Sequence, residues 1–501
     1  MPSNPNAPVI VAYAQHTWPE PDAERTPLNA LESISRQVLA NANCDVLADS
    51  VDAIATVRFI MDTDPNLAPL LPRNPGRVIA ERVGLDNPQC FQTGIGGNTP
   101  QFLVNHFANR LAQGEFKAVL VNGAEFIHNF FSAMRSGADI SSWMGEPCEA
   151  PTMVGPEDKD GLNSSEQAHG LYEPINTYPL FESALRHSNN GQSLSAELCA
   201  SMAAVAADNP YAWRQEGLSA DAIATPDKGN RYIGYPYTKA MNALLAVDMA
   251  AAIIMTTAGH AAELGIPESQ CIYLCSGTDI NEVWHVSERP DLKRAPAIGK
   301  AVNASLAAAD MTLEDIDHFD LYSCFPCAVE IACNEIGLDP LDNRGVTVTG
   351  GLPFFGGPGN NYSLHAIAQM ADQLGKTGGN GLVTANGLYL TKHSVGIYSS
   401  EPPTQPWQPI DAESLQAEVD ESPRCSLAAN PEGTATVEAY TVAYDKTGPQ
   451  RGFIVATNPS GERILANVEA NSSTLARMLE GDIIGKAGQV TATEAGNEFA
   501  L

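Results

Sequence analysis

The segment Asp320-Leu-Tyr-Ser-Cys-Phe-Pro-Cys327 continues a pattern of helix, short turn and apolar strand that occurs twice in the chain. In the later copy a helix is predicted over 298–308 and a strand over 318–322. In the earlier copy a helix is predicted over 31–40 and a strand over 53–57. Val51-Asp52 of the earlier copy corresponds to Ile316-Asp317 of the later one, 265 positions further along.

A second pair of segments repeats at nearly the same offset. A predicted helix over 102–111 with a strand over 118–123 corresponds to a predicted helix over 362–374 with a strand over 381–387. Both strands end in Asn-Gly, 264 positions apart. Alternating helices and strands occur in any α/β protein, so chance agreement is the alternative. Two matches at nearly one offset favour a duplicated α/β unit.

The length and charge of the chain limit its number of domains and the classes of ligand it can bind. Its 501 residues suggest roughly three domain-sized units on a prior of about 150 residues each. With 28 basic and 59 acidic residues, the net charge of −31 opposes binding to nucleic acid and to anionic membranes. Residues 1–6 lack the pattern of a signal peptide, and the longest apolar stretch, 244–255, is too short to span a bilayer. We therefore expect a soluble cytoplasmic protein.

Ten cysteines in a cytoplasmic chain of this length are expected to be reduced and mostly buried. Cys324 and Cys327 form a Cys-x-x-Cys pair, but no second pair stands at zinc-ligand spacing, so no metal site is predicted. The pair also lies far from the first strand, where a thioredoxin-like motif would stand.

The chain divides into segments of different character. Residues 126–235 interrupt the α/β rhythm and predict an insertion that folds over the first unit. A helix over 240–245 and strands over 250–256 and 271–275 are predicted to close the first half. Proline is frequent over 401–409, which predicts a linker. The predicted domains are a first half (1–125 and 236–290), an inserted loop domain (126–235), a second half (291–400), a linker (401–430) and a terminal domain (431–501).

The terminal domain alternates apolar and polar residues over 437–444, 452–457 and 463–468. A helix over 473–479 and a further strand near 489–491 follow. Short alternating strands with one helix predict a small β-barrel of the oligonucleotide/oligosaccharide-binding type. The acidity of the chain makes nucleic acid an improbable ligand, and the barrel type alone identifies no other.

The duplicated halves, the insertion and three loop segments resemble the thiolase superfamily, most closely the sterol-carrier-protein-type branch. The resemblance covers residues 8–400. It implies a five-layered αβαβα fold with an active site built from loops where the halves meet. It also implies a coenzyme A thioester as substrate or ligand and a place in lipid metabolism. A homodimer is expected from the family, with a monomer as the alternative.

The family's catalytic positions are altered in this chain. The nucleophilic cysteine of the family falls on Gly97, and the histidine of its Gly-His-Pro loop falls on Gly357. The second cysteine falls on Asn386. In the remaining loop, Tyr322 replaces the family's histidine while Cys324 is retained. Thiolysis needs a thiolate, a histidine that activates it and a second proton carrier, so ordinary thiolase activity is not expected.

Several polar groups could still serve a site. Cys324 is a candidate nucleophile or a buried filler, Tyr322 a donor to a thioester oxygen or a core residue, and His393 a base or a structural histidine. Glycine at a helix N-terminus also leaves backbone N–H groups free to bind an oxyanion. The predicted catalytic residues are Cys324, Tyr322 and His393, and the predicted substrate-binding residues are Gly97, Asn98, Thr99, Gly357 and Asn386.

Two kinds of function remain open. The first is an acyltransferase that acts on acyl-CoA through a rearranged site, similar to an acetyl-CoA acetyltransferase. The second is a binding or scaffold protein of thiolase fold without turnover, and a partner subunit that completes the site is a further possibility. Coenzyme A would need a local basic pocket, for which the candidates are Lys228, Arg231, Lys293, Arg294 and Lys300.

Overall fold

The computed structural model describes residues 2, 4–22, 24–144, 148–157, 159–494 and 496–501. Parts of the N-terminal segment 1–6 and of the predicted insertion 126–235 lie outside the described residues. Within the described ranges, no helix combines the length and the apolar character needed to cross a bilayer.

Most strands join one ten-stranded sheet and the rest form a second sheet of seven. The larger sheet has the order β10-β11-β12-β9-β1-β8-β4-β2-β3-β5. The strands in the described residues are β1 (Pro8–Thr17), β2 (Val51–Thr56), β3 (Gln89–Thr93), β4 (Ala118–Phe126), β5 (Thr152–Val154), β6 (Tyr232–Gly234), β7 (Tyr237–Thr238), β8 (Asp248–Thr257), β9 (Ile272–Asn281), β10 (His318–Asp320), β11 (Asn380–Gly387), β12 (Lys392–Ser399), β13 (Gly433–Asp445), β14 (Gly448–Thr457), β15 (Arg463–Val468), β16 (Ala487–Thr493) and β17 (Gly496–Ala500).

The larger sheet contains the same four-stranded arrangement twice, which confirms the predicted duplication. In the first copy, β1 and β8 are antiparallel, β8 and β4 are antiparallel, and β4 and β2 are parallel. In the second copy, β9, β12, β11 and β10 repeat these three relations in the same order. The copies meet where β1 and β9 pair over two residues.

Several helices begin after a residue whose side chain caps the first turn. The Thr26 and Asn74 side chains accept hydrogen bonds from the backbone at the starts of the first two helices. The helices in the described residues are α1 (Pro27–Asn41), α2 (Pro75–Val83), α3 (Thr99–Ala112), α4 (Ile127–Ser136), α5 (Ser164–Ala168), α6 (Pro174–Ser188), α7 (Ser195–Asp208), α8 (Ala220–Ala224), α9 (Ala258–Glu263), α10 (Pro296–Ala308), α11 (Pro326–Ile336), α12 (Tyr362–Thr377), α13 (Ala412–Asp420) and α14 (Ser473–Glu480).

The layers follow from how the helices pack. α3 and α12 pack on each other and on strands of both copies, so they form the central layer. α1 and α2 cover the outer face of the first copy, and α10 covers that of the second. The predicted five-layered αβαβα fold is therefore confirmed, and the N-termini of α3 and α12 meet between the halves.

Three segments show features that the sequence did not predict. Residues 240–245, expected to be helical, form only a 3₁₀ turn at Lys239–Met241 and then an extended segment. β9, expected to close the first half, pairs along its length with β12 of the second copy. The predicted linker 401–430 contains α13. These outcomes depend on partners distant in the sequence, which local patterns do not reveal.

The second sheet closes into a small barrel. Its strands run β13-β14-β15-β17-β16 and return to β13, with β15 and β17 parallel and α14 between β15 and β16. The barrel has a core of its own that includes Val442, Ile454 and Met478. It attaches to the insertion where β6 pairs with β13 and where the Tyr440 N–H donates to Ser183 Oγ of α6 at 3.1 Å.

Candidate functional site

Gly97 lies at the start of α3, between the two copies, and has no room for a side chain. A Cβ atom built on it would stand 2.1 Å from Tyr322 Oη and 2.6 Å from the Asn386 carbonyl oxygen. Ordinary contacts of a Cβ are 3.4 to 4 Å. Ser363 Oγ at the start of α12 donates to the Gly97 carbonyl at 2.6 Å. The place predicted for the nucleophile is therefore filled by the phenol of Tyr322.

Tyr322 follows β10 and is held from several sides. Its backbone N–H donates to Thr384 Oγ1 at 3.0 Å, and its ring makes an edge contact with the Tyr362 ring at 5.4 Å. The side chain is buried, and burial together with nearby Cys324 raises its pKa far above the ordinary value. Tyr322 is therefore a neutral phenol at physiological pH, which can donate a hydrogen bond but cannot act as a base.

Sequence reasoning missed Tyr178, which enters the site from α6 of the insertion. Its Oη donates to the Leu388 carbonyl at 2.9 Å and accepts from Asn386 Nδ2 at 3.0 Å. Its ring stacks on Phe325 with the centroids 4.4 Å apart. The insertion has no segment that matches a family motif, so the only signal in the sequence was its many aromatic residues.

Cys324 lies beside this group but is not activated. Asn386 Nδ2 approaches its Sγ at 3.8 Å. Burial raises the pKa of the Cys324 thiol to about 12, although hydrogen bonds with Tyr178 and Asn386 act in the opposite direction. The thiol is therefore protonated at neutral pH, and a nucleophile needs the thiolate. Its predicted catalytic role stays a prediction, which the burial opposes.

His393 lies next to Asn386 in the sheet, because the two residues pair across β11 and β12. Its Nε2 stands 3.1 Å from the Leu390 carbonyl oxygen. Burial, with Arg289 nearby, lowers the pKa of the imidazole to about 3. Such a low pKa makes His393 a poor base at neutral pH, so its role as a site base also stays a prediction.

The glycine-rich loop that contains Gly357 reaches the site through its later residues. Gly357 itself is closest to Leu352, Ala243 and Leu244, 3.3 to 3.6 Å from a built Cβ. Asn360, three residues on, accepts a hydrogen bond from the Gly96 N–H at 3.0 Å. The loop therefore supports the start of α3, whereas the atoms nearest to a built Gly357 Cβ belong to residues other than Tyr322.

A buried carboxyl group lies behind the same loop. Glu125 Oε1 accepts from the Ile60 and Asn360 backbone N–H groups at 2.8 and 3.2 Å. Its Oε2 has no partner among the described residues. Burial raises the pKa of Glu125 to about 8 despite these hydrogen bonds, so the side chain is mostly neutral at pH 7.

A cavity of about 160 Å³ lies beside the first turn of α3, next to the Tyr322 group. Among the predicted site residues, Asn98, Thr99 and His393 line it. Asp279, at the end of β9, also lines it and was missed. Burial raises the pKa of Asp279 to about 7, and Ser394 and Asn105 hydrogen-bond its carboxylate. A carboxylate at the end of an apolar strand was the signal for it.

Four of the five basic residues proposed for coenzyme A phosphates form ion pairs or hydrogen bonds with other groups of the protein. Lys293 and Arg294 form ion pairs with Asp291 and Glu335 at 2.9 and 2.6 Å, and Lys300 pairs with a glutamate, Glu418. Arg231 Nη1 donates to the Tyr232 and Tyr444 carbonyls at 2.8 and 3.3 Å, and Lys228 is exposed. These contacts give no support to a basic pocket formed by the five.

Comparisons with known proteins were consistent with this geometry. A family model for the "thiolase-like protein type 1 additional C-terminal domain" matches residues 414–495. A search of curated proteins found no match. Among solved structures, a monomeric SCP2-thiolase like protein type 1 from Mycobacterium smegmatis is 33% identical, with 99% of each chain covered and a TM-score of 0.84.

Two more distant structures share the fold alone. The dimeric peroxisomal thiolase of Saccharomyces cerevisiae is 14% identical over 80% of this chain and 99% of its own, with a TM-score of 0.57. The Acat5 thiolase from Ascaris suum, solved in complex with coenzyme A, is 15% identical over 78% of this chain and 99% of its own, with a TM-score of 0.56.

Proposed function

Because the chain belongs to the SCP2-thiolase-like proteins of type 1, we propose that it is a binding or scaffold protein of thiolase fold rather than a thiolase. The main support is the space around Gly97. A cysteine there would need the Tyr322 phenol, 2.1 Å from the built Cβ, to move by more than an ångström, and the Asn386 carbonyl, 2.6 Å from it, to move by a smaller distance. The chain has thus lost both the thiol of the family and the volume in which a thiol could stand.

The protonation states of the remaining groups point in the same direction. Cys324 keeps its proton because burial raises the pKa of the thiol to about 12. His393 stays neutral because burial lowers its pKa to about 3. Neither group can start acyl transfer at neutral pH without a change of environment.

An activity assay tests this proposal directly. We expect no thiolysis of acetoacetyl-CoA and no acetyl transfer from acetyl-CoA above the buffer rate, with an active thiolase as positive control. If turnover occurs, Cys324→Ala should be compared with Cys44→Ala, a half-buried thiol outside the site. Turnover that Cys324→Ala abolishes and Cys44→Ala leaves intact would overturn the scaffold proposal.

That outcome would favour the second candidate, an acyl-CoA acyltransferase. The observation in its favour is the hydrogen bonding around Cys324, because Tyr178 and Asn386 both act to lower the pKa of its thiol. The Ascaris suum thiolase was solved with coenzyme A, which makes coenzyme A the first ligand to test. Calorimetric titration with coenzyme A and acetyl-CoA separates a scaffold that holds a thioester from one that does not.

We further propose that the chain is a monomer in the cytoplasm. β5 of the insertion pairs with the outer edge of β3 from Phe91–Thr152 to Thr93–Val154. Because an uncovered edge strand is a template for another chain, replacing the β3 edge by the three-residue edge strand β5 disfavours a dimer through the first half. The reduced cysteines and the strongly acidic surface suit a cytoplasmic protein.

The terminal barrel is proposed to be of the oligonucleotide/oligosaccharide-binding type and to dock a partner. Its closed five-stranded path, the parallel β15 and β17, and a helix between the third and fourth strands support this type. A version ending at residue 430 tests the docking role only if thermal unfolding shows that the thiolase-like part remains folded.

A further inference from the structure

The turn between β11 and β12 contains two leucines in the left-handed backbone region, with φ of 58° at Leu388 and 55° at Leu390. Among the described residues, every other non-glycine residue with positive φ is asparagine or aspartate, whose short polar side chain tolerates this conformation. A leucine has no such compensation, because its Cβ crowds the following carbonyl oxygen. The turn is therefore strained at two residues, and contacts from its surroundings must hold it.

One phenol of the insertion holds this turn. Tyr178 Oη donates to the Leu388 carbonyl at 2.9 Å and accepts from the Leu390 N–H at 3.3 Å. It also accepts from Asn386 Nδ2, just before the turn, at 3.0 Å. Because a phenolic hydroxyl is both donor and acceptor, this single buried group satisfies both strained leucines.

Further contacts fix the tip of the turn. Arg289 Nη1 donates to the Tyr389 carbonyl at 2.6 Å, and Tyr389 Oη donates to the Tyr172 carbonyl of the insertion at 2.8 Å. Leu388 also packs on Gly161 of the insertion, because a Cβ built on that glycine would lie 3.0 Å from a Leu388 methyl carbon. These partners belong to the insertion and the first half, whereas the turn belongs to the second half.

We propose that the turn 388–391 is a strained latch, which the insertion holds closed and which opens when Tyr178 withdraws. Opening breaks the hydrogen bonds to Tyr178 but relieves the strain at both leucines, so the open state lies closer in free energy than the lost hydrogen bonds alone imply. Lys392 and His393, which follow the turn, line the cavity of about 160 Å³ beside α3. Opening of the latch therefore widens this cavity and loosens the insertion from the second half.

The latch goes beyond the proposed function and does not depend on it. Thiolase turnover would overturn the scaffold proposal and leave the latch intact. A turn that stays rigid would overturn the latch and leave the scaffold proposal intact. The two can therefore fail separately.

Hydrogen exchange of the full chain, resolved at single amides by mass spectrometry, tests the latch. The reporter is the Thr391 N–H, which donates across the turn to the Gly387 carbonyl at 3.3 Å. Leu388→Ala and Leu388→Gly both remove the packing on Gly161, but only glycine adopts positive φ without strain. We therefore expect Thr391 to exchange at least about threefold more slowly in Leu388→Gly than in Leu388→Ala, since exchange follows the population of the open state.

Leu341 provides the matched control pair, because it lies in an exposed turn and its φ is not positive. The reporter there is the Asp342 N–H, which donates to the Asp339 carbonyl at 2.9 Å. Glycine has more backbone freedom than alanine, so after correction for intrinsic rates Leu341→Gly should exchange as fast as Leu341→Ala or faster. The opposite order at residue 388 is the signature of strain.

Tyr178→Phe tests the holding contact. It removes the hydroxyl and keeps the ring that stacks on Phe325, so exchange at Thr391 should rise at least about fivefold, as expected for the loss of a buried hydrogen-bond partner. Tyr398→Phe is the control, since its buried phenol donates to Gln101 Oε1 at 2.8 Å, and Thr391 should exchange as in the unaltered chain.

Three results would overturn the latch. The first is exchange at Thr391 that is as fast in Leu388→Gly as in Leu388→Ala, or faster. The second is unchanged exchange at Thr391 in a folded Tyr178→Phe protein. The third is an increase that the core amides of α12 share, because this reports global unfolding instead of a local opening. If Tyr178→Phe does not fold, the comparison at residue 388 still decides.

Discussion

Adding one methyl group at residue 97 tests whether Tyr322 has taken the space of the thiolase nucleophile. The Gly97 backbone is not in the left-handed region, so Gly97→Ala introduces crowding without backbone strain. The new Cβ would lie 2.1 Å from Tyr322 Oη, 2.7 Å from Tyr322 Cζ and 2.6 Å from the Asn386 carbonyl oxygen. Both neighbours must move, and the carbonyl belongs to β11, a strand paired on both sides by β10 and β12.

The expected cost follows from these contacts. Overpacking of a core typically costs about 1–3 kcal/mol, and two close contacts place Gly97→Ala near about 3 kcal/mol. Tyr322→Leu removes the phenol ring and should itself destabilise the protein by creating a cavity. In that background Gly97→Ala should cost only about 1 kcal/mol, because the Asn386 carbonyl alone remains close. The coupling between the two positions is then about 2 kcal/mol.

Urea unfolding of the single and double variants measures this coupling. The midpoints of the transition in which the thiolase-like halves unfold are compared, with one slope of free energy against urea concentration for all variants. Gly217→Ala is the matched control, since the nearest atom to its built Cβ is 4.0 Å away, and its midpoint should not change. Additive costs at residues 97 and 322 would refute the conclusion that the phenol occupies the nucleophile's volume.

Other predictions concern charge, association and reactivity. The pKa of Glu125 is raised from 4.5 to about 8 in the folded chain, so between these pH values the folded state holds a proton that the unfolded state has lost. The free energy of unfolding should therefore fall as the pH rises from 4.5 to about 8. Glu125→Gln should flatten that part of a plot of thermal midpoint against pH. The double variant Thr152→Pro and Met153→Pro should detach β5 and uncover the edge of β3. Two successive prolines are used because the N–H groups of neighbouring residues face opposite sides of a strand, so one of them must face β3. Light scattering should detect self-association of this variant and none of the control in which both residues are serine. Cys324 should resist iodoacetamide at neutral pH in the folded protein and react after unfolding in urea, as followed by peptide mass spectrometry, because burial raises the pKa of its thiol to about 12. Rapid alkylation of Cys324 in the folded protein would contradict the assigned protonation state.

The proximity of three loop residues could be predicted from the sequence, but their surroundings could not. Matching loops placed Gly97, Tyr322 and Asn386 in one region, and the structure brings these three together. The same reasoning placed Gly357 with them, whereas it lies against Leu352 and Ala243. Loop matching follows the order of residues along the chain and does not fix which way each side chain points.

The sequence by itself determined the duplicated unit and the strands of the barrel, except β17. Helical and strand periodicity is local, so α1, α3, α10 and α12 were predicted from which residues must face a core. Only the tertiary structure decided that β9 pairs with β12, that Tyr178 reaches the site from the insertion, and that the Tyr322 phenol lies against Gly97. The physical reason is that these contacts join residues far apart in the chain, and their geometry is set by the packing of whole layers rather than by neighbours in the sequence.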